Sequence, residues 1–273
     1  MPTEKPTAET APGTPPPGRT RVVRTAPLPT PWNELSYTQI MTRSGGRLVN
    51  DGRSSRVHLF TDGNENCYLK RYRYRKIHWR HCFERSQVER ETRNLEKFRR
   101  AEIKHCRTIE ILAWGERRRG PILRDAFLLS RAVAGGVRLS LFLAAAPAHP
   151  RRTAVIARLV AFGAEVIRRR LALVDPYFRN LVVVPETAML YILDLQRCAR
   201  RPGLAARKSL PQFWADIEIF LTPAERERAE AAFRPLLPAG AFSRMRSRAA
   251  LLIPKELKRR AQEEALAAAG PAP

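Results

Sequence analysis

Asp175 and Asn180 stand five positions apart in DPYFRN, and Asp194 closes the apolar run LYILD further along the chain. A carboxylate and an amide at D-x-x-x-x-N spacing can divide the work of phosphoryl transfer. The carboxylate orients or deprotonates an acceptor hydroxyl, and the amide oxygen helps hold Mg²⁺. A second carboxylate at the end of a strand can bind Mg²⁺ where it bridges the phosphates of ATP; otherwise an aspartate there is a simple turn former. Lys70, in CYLKRY, could hold the α- and β-phosphates, with Tyr68 and Tyr72 on its own face because strand side chains alternate. Its neighbours Arg71 and Arg73 leave open an exposed lysine in a basic patch. Glu91 begins ETRNLEKF, where a helical carboxylate could ion-pair with Lys70 and fix its direction. Glu89 and Glu96 are rivals, and a charged helix is often only a solvated face.

These residues need elements to hold them. Short β-type runs at 47–50, 56–60 and 67–74 are separated by the turn signals NDG at 50–52 and TDGN at 61–64. A helix is expected over 81–103, where Phe83, Val88, Leu95 and Phe98 recur at helical intervals without Gly or Pro. Strands at 108–116 and 125–133 follow, and AVAGGV reads as a hinge. The second half is mostly helical: 139–146, then 153–173 with apolar residues at i, i+3 and i+4. A loop and two short strands come next, followed by helices in SLPQFWADIEIFL, TPAERERAEAAF and IPKELKRRAQEEALAAA. In the second of these Thr222 is the N-cap, with Pro223 at the first helical position and Glu225 completing a capping box. The order is five strands interrupted by one helix, a hinge, then a helical half carrying a loop and two strands. It predicts an α+β, bilobal protein-kinase-like fold, with an N-terminal antiparallel sheet plus one helix and a mainly helical C-terminal lobe. The boundaries are a Pro-rich flexible tail over 1–31, an N-terminal lobe over 32–134 and a C-terminal lobe over 135–273. A phosphate-covering loop is assigned to Gly52, Ser54 and Ser55 in NDGRSSR, although a plain hairpin turn fits these residues equally well.

The 50 Lys and Arg against 26 Asp and Glu give the 273-residue chain a net charge of +24, and its pI is near 11.2. Such a surface should seek a polyanion, whether phosphorylated glycolipid, an anionic inner leaflet or nucleic acid. Cys67, Cys82, Cys106 and Cys198 form no CxxC pair, so neither a zinc site nor a disulfide framework is expected, and a reducing compartment fits. No stretch approaches the ~20 apolar residues of a membrane span, and MPTEKPTAETAPGTPPPG lacks the apolar core of a signal peptide. The expected place is the cytoplasm.

The run VDPYFRNLVV followed by LYILDLQRCARR resembles the lipopolysaccharide kinase family, protein-kinase-like enzymes that phosphorylate heptose or Kdo in the lipid A core. The similarity spans about residues 40–200. Asp175, Tyr177 and Asn180 match the family's HRDxYxxN loop, and Ile192 to Arg197 match its IDLxRA segment apart from Leu193. YLKRYRY with ETRNLEKF is similar to its lysine strand and glutamate helix. Two features depart from the pattern: Leu173 and Val174 stand where the family carries His and Arg, and the glycine loop is indistinct. The resemblance implies ATP and Mg²⁺ as cofactors, Lys70 and Glu91 at the nucleotide, Asn180 and Asp194 at the metal, and Asp175 at the acceptor hydroxyl. It implies an anionic glycolipid as substrate and a peripheral position on the inner membrane. A pseudokinase that binds a lipid or partner is the alternative, favoured by Leu173 and the poor glycine loop. Nucleic-acid binding ranks last, because KRYRYRKIHWRH carries arginines among aromatics but no recognised DNA- or RNA-binding signature.

Overall fold

The computed structural model describes residues 19–268 except 53–54, 64, 75–84, 146–148, 196, 202 and 204. Strands β1 (Arg19–Arg24), β2 (Arg47–Asp51), β3 (Ser55–Asp62), β4 (Glu65–Arg73), β6 (Ile111–Arg119) and β7 (Ile122–Arg131) form a six-stranded sheet in the order β1-β6-β7-β4-β3-β2. Every neighbouring pair is antiparallel. Helix α1 (Tyr37–Thr42) precedes β2, while α2 (Gln87–Arg100) and the short β5 (Cys106–Thr108) separate β4 from β6.

The sheet is buried on both faces, and alternation along β4 decides which residue goes where. Cys67 and Leu69 join Trp32, Tyr37, Ile40, Phe60 and Phe127 in a cluster on the outer face. Tyr72 packs with Val88, Trp114, Ala126 and Leu128 on the face that meets α2. Helix α2 starts at Ser86, whose hydroxyl accepts the Glu89 N–H, and its buried residues include Val88, Glu91, Leu95 and Phe98. The expected helix over 81–103 is therefore shorter in its described part, ending at Arg100; residues 81–84 lie outside the described residues.

Two expectations change. Composition places residues 19–31 in the flexible tail, but Arg19–Arg24 pair with β6 along their whole length, and Trp32 just beyond is fully buried. The low apolar content of the segment conceals this, because an exposed edge strand draws its binding energy from backbone hydrogen bonds. The helix expected over 153–173 ends at Arg168, and Leu171–Val174 form a strand instead. Arg170 adopts φ of 54°, which breaks the helix, and the strand then pairs with Arg197–Arg200. The apolar pattern runs through both elements without marking the join.

Beyond the sheet, the hinge leads to β8 (Val137–Arg138), α3 (Leu139–Ala145) and α4 (Arg152–Arg168). Gly136 is required there, since a Cβ would lie 2.6 Å from Val182 Cγ1 and 2.8 Å from the Val133 carbonyl oxygen. Strand β9 (Leu171–Val174), a 3₁₀ turn (Phe178–Asn180), β10 (Leu181–Val184), β11 (Met189–Ile192) and β12 (Arg197–Arg200) follow. Helices α5 (Leu210–Phe220), α6 (Pro223–Phe233), α7 (Ala241–Ala250) and α8 (Ile253–Ala268) complete the chain. The capping box read at Thr222 and Glu225 is present. Helix α7 carries no sequence expectation, because AFSRMRSRAA buries only Phe242, Met245 and Ala249. The main core joins α2 residues Leu95 and Phe98 to the helical half through Phe162, Phe178, Phe213 and Trp214. Cys67, Cys106 and Cys198 are free and buried.

Candidate active site

The site forms where the sheet meets the helical half. Lys70 points from β4 to the α2 side and lies 2.9 Å from Glu91 Oε2 and 2.9 Å from Asp194 Oδ2. Burial opposes its charge, yet the Glu91 and Asp194 carboxylates outweigh that and hold the ammonium above the ordinary lysine value. Glu91 is 3% exposed, and burial raises its pKa against the opposing pull of Lys70. Its Oε2 also accepts the Tyr72 hydroxyl at 2.5 Å, so both sides of the carboxylate are engaged. This favours Glu91 over its rivals on geometry: Glu89 pairs with Arg93, and Glu96 with Arg99 and Arg100.

The lower wall is the loop between β9 and β10. β9 pairs with β12, which puts Val174 opposite Arg197 and sets Asp175 beside the segment that carries Asp194. Asp175 has φ of 65°, a left-handed conformation unusual outside glycine that costs about 1 kcal/mol or more and persists only when neighbours over-determine it. They do so here. The Asn180 side-chain Nδ2 donates to the Asp175 carbonyl at 2.9 Å, and the Asn180 N–H donates to Tyr177 O at 2.8 Å. The Leu193 N–H donates to Asn180 O at 2.9 Å, which fastens the loop to the residue before Asp194.

Three of the expected residues, Lys70, Glu91 and Asp194, thus share direct contacts, and Asp175 and Asn180 are tied to them through Leu193. The glycine-loop residues stand apart. Gly52 N–H donates to Ser55 O at 2.8 Å in the β2–β3 turn, and Ser55 lies opposite Tyr72 on the Lys70 strand. Ser54 lies outside the described residues. Leu173 is 1% exposed and belongs to the main core, so packing fills the position where the family pattern has histidine.

Sequence reading missed two supports on α5. Gln212 brackets Asp175: its Nε2 donates to Asp175 Oδ1 at 3.3 Å, and its Oε1 accepts the Asp175 N–H at 3.3 Å. Asp216, 3% exposed, accepts the Phe178 N–H, and burial pushes its pKa up to about 7 against the pull of that N–H. Local spacing gave no signal for either, since SLPQFWADIEIF also carries Ser209 and Glu218 among its apolar residues.

An ammonium fixed between two carboxylates, facing a loop that presents an aspartate and an amide, is an arrangement suited to phosphates and a hard cation. With the antiparallel sheet, one helix and helical half, it defines a protein-kinase-like phosphotransferase. The chain belongs to the lipopolysaccharide kinase (Kdo/WaaP) family, whose model matches residues 41–213, and it is therefore a kinase. The fold resembles that of WaaP solved in complex with acyl carrier protein: TM-score 0.57, 19% identity, covering 85% of this chain and 99% of that one. The bifunctional kinase-methyltransferase WbdD aligns with TM-score 0.44 and 18% identity, over 75% of this chain and 47% of that one. A search of curated proteins finds no match.

Proposed function

We propose that the chain transfers the γ-phosphoryl group of ATP to a sugar hydroxyl, heptose or Kdo, of the lipopolysaccharide core at the cytoplasmic face of the inner membrane. The observation that carries this reading is Lys70 joined at 2.9 Å to both Glu91 and Asp194, because one ammonium then links sheet, helix and metal-binding aspartate. Lys70 grips the α- and β-phosphates while Glu91 and Tyr72 fix its direction. Asn180 and Asp194 supply hard oxygen donors, a set that fits Mg²⁺, which keeps its remaining positions for water and phosphate oxygens. That ion, when bound, neutralises charge on the phosphates. Asp175 orients the acceptor hydroxyl and takes its proton, with Gln212 holding the carboxylate and its backbone. The β2–β3 turn at Gly52, Ser54 and Ser55 offers backbone amides above the phosphates.

Two measurements test this. The lipopolysaccharide core from cells with and without the gene should differ by one phosphate in mass. Asp175→Ala should keep the melting temperature and lose about 10²-fold or more of turnover, the range for removing a general base; undiminished phosphorylation would remove Asp175 from the mechanism. Leu173 is the observation behind a second reading, a lipid- or partner-binding relative without catalysis. Lack of Mg²⁺-dependent ATP binding by the purified chain would favour that reading.

A further inference from the structure

Arg179 lies inside the DPYFRN loop, between the two residues assigned to chemistry, yet its side chain turns away from Lys70 and Asp194. Its Nη1 pairs with Glu256 Oε2 at 2.7 Å, and Glu256 also holds Arg259 Nη2 at 2.7 Å. Glu256 is 5% exposed and sits in the first turn of the C-terminal helix α8, well outside the span matched by the family model. The Arg179 guanidinium stacks 3.9 Å from the centroid of the Tyr177 ring, a face-on contact available to a planar cation. Tyr177 is itself buried, and its hydroxyl meets Gln212, the side chain that brackets Asp175. An unbroken series of contacts therefore runs from the last helix to the Asp175 carboxylate.

We propose that Glu256 is a positioning residue for Asp175, acting from the C-terminal helix through Arg179, Tyr177 and Gln212. The reading rests on the phosphotransfer role given to Asp175 above. Its physical basis is that Asp175 occupies a left-handed conformation that only its surroundings enforce, and Arg179 braces one side of those surroundings through the Tyr177 ring and Gln212. Without Glu256 the half-buried guanidinium loses its carboxylate, and its better alternative is water, away from the Tyr177 ring. Misplacement of a reacting group by about 1 Å is enough to lower a rate on the order of 100-fold. Among the described residues no side chain of this series pairs directly with Lys70, Glu91 or Asp194, so nucleotide binding should change far less than turnover.

The test compares full-length wild type, Glu256→Ala and the conservative Glu256→Asp. Turnover is measured with MgATP and purified core glycolipid, and hydrogen exchange is followed in the peptide spanning 174–181. Glu256→Ala should lose about tenfold or more in kcat with the KM for ATP within twofold, and its loop amides should exchange faster. Glu256→Asp, which keeps a carboxylate for Arg179, should recover much of both. Wild-type kcat together with wild-type exchange in Glu256→Ala would overturn the proposal. So would a loss in which ATP affinity and melting temperature fall along with kcat, since that marks general unfolding. If the wild type itself transfers no phosphate, the phosphotransfer reading fails, and loop exchange alone decides whether Glu256 holds the loop.

Discussion

At the scale of single residues, the site is built from groups whose burial would be unfavourable without a partner. Replacing Lys70 by Met leaves Glu91 buried with only the Tyr72 hydroxyl, and breaking such a pair typically costs about 3–5 kcal/mol. Lys70→Met should therefore lower stability in urea titrations as well as weaken ATP binding; full stability would mean that Glu91 simply protonates at no loss. Asp216 gives a pH prediction. Burial raises its pKa from 3.8 to about 7 in the folded chain, so the folded state holds a proton that the unfolded state has released across that window. Its stabilising contribution is complete below the unfolded value and disappears as pH rises through the folded value. Relative to Asp216→Asn, the wild type should lose on the order of 4 kcal/mol between about pH 4 and pH 8. A pH-independent difference in denaturant unfolding would show that the carboxyl does not titrate with folding. Lys70, Glu91, Asp175, Asn180 and Asp194 stood out in the sequence because the phosphate and metal chemistry proposed for them restricts both residue type and spacing. Gln212, Asp216 and Glu256 were not, since each acts through a backbone or another side chain, and nothing in local spacing distinguishes such a residue from a solvated one.

At the scale of elements, the β-meander and the long helices were readable from periodicity, whereas their ends depended on tertiary partners. β1 is the clearest case: RTRVVR is mostly exposed and half arginine, with only Val22 and Val23 apolar and no alternation, so its strand signal is weak. Its charged edge also discourages pairing with another chain, a common protection for open sheet edges. In the helical half a single buried arginine joins four elements. Arg152, the first residue of α4, donates to Leu143 O on α3 at 2.8 Å and to Phe220 O on α5 at 3.0 Å, and pairs with Glu225 on α6 at 3.0 Å. It ends two helices by satisfying their free carbonyls. Arg152→Leu should destabilise the chain by about 3–5 kcal/mol, the range for removing one partner of a buried pair. Thermal unfolding measures it, and a change no larger than that of an exposed arginine such as Arg228 would contradict the role.

At the scale of the whole molecule, the excess of 24 positive charges is not evenly committed. Many of the acids are consumed internally: Asp62 by Arg43, Asp125 by Arg117, Glu165 by Arg169 and Glu218 by Arg226. Each of these pairs neutralises one acid and one base, so the net excess of 24 is unchanged and is carried by the remaining lysines and arginines. Arg19 faces Arg118, itself paired with Glu116, across the β1–β6 ladder, and Arg119 ends β6 at the β6–β7 turn. No helix among the described residues is long and apolar enough to cross a membrane. Each lysine or arginine near an anionic bilayer contributes about 1 kcal/mol, and the screening length contracts from about 10 Å at 0.1 M salt to about 3 Å at 1 M. The full chain should therefore cosediment with vesicles containing anionic phospholipid at low ionic strength, release as salt rises toward molar concentrations, and ignore purely zwitterionic vesicles. Retention at high salt would instead require apolar insertion, and equal binding to zwitterionic vesicles would remove charge as the cause. Under the proposed function, with a core glycolipid as acceptor in that anionic layer, salt should raise the apparent KM for acceptor presented in vesicles more steeply than the KM for ATP.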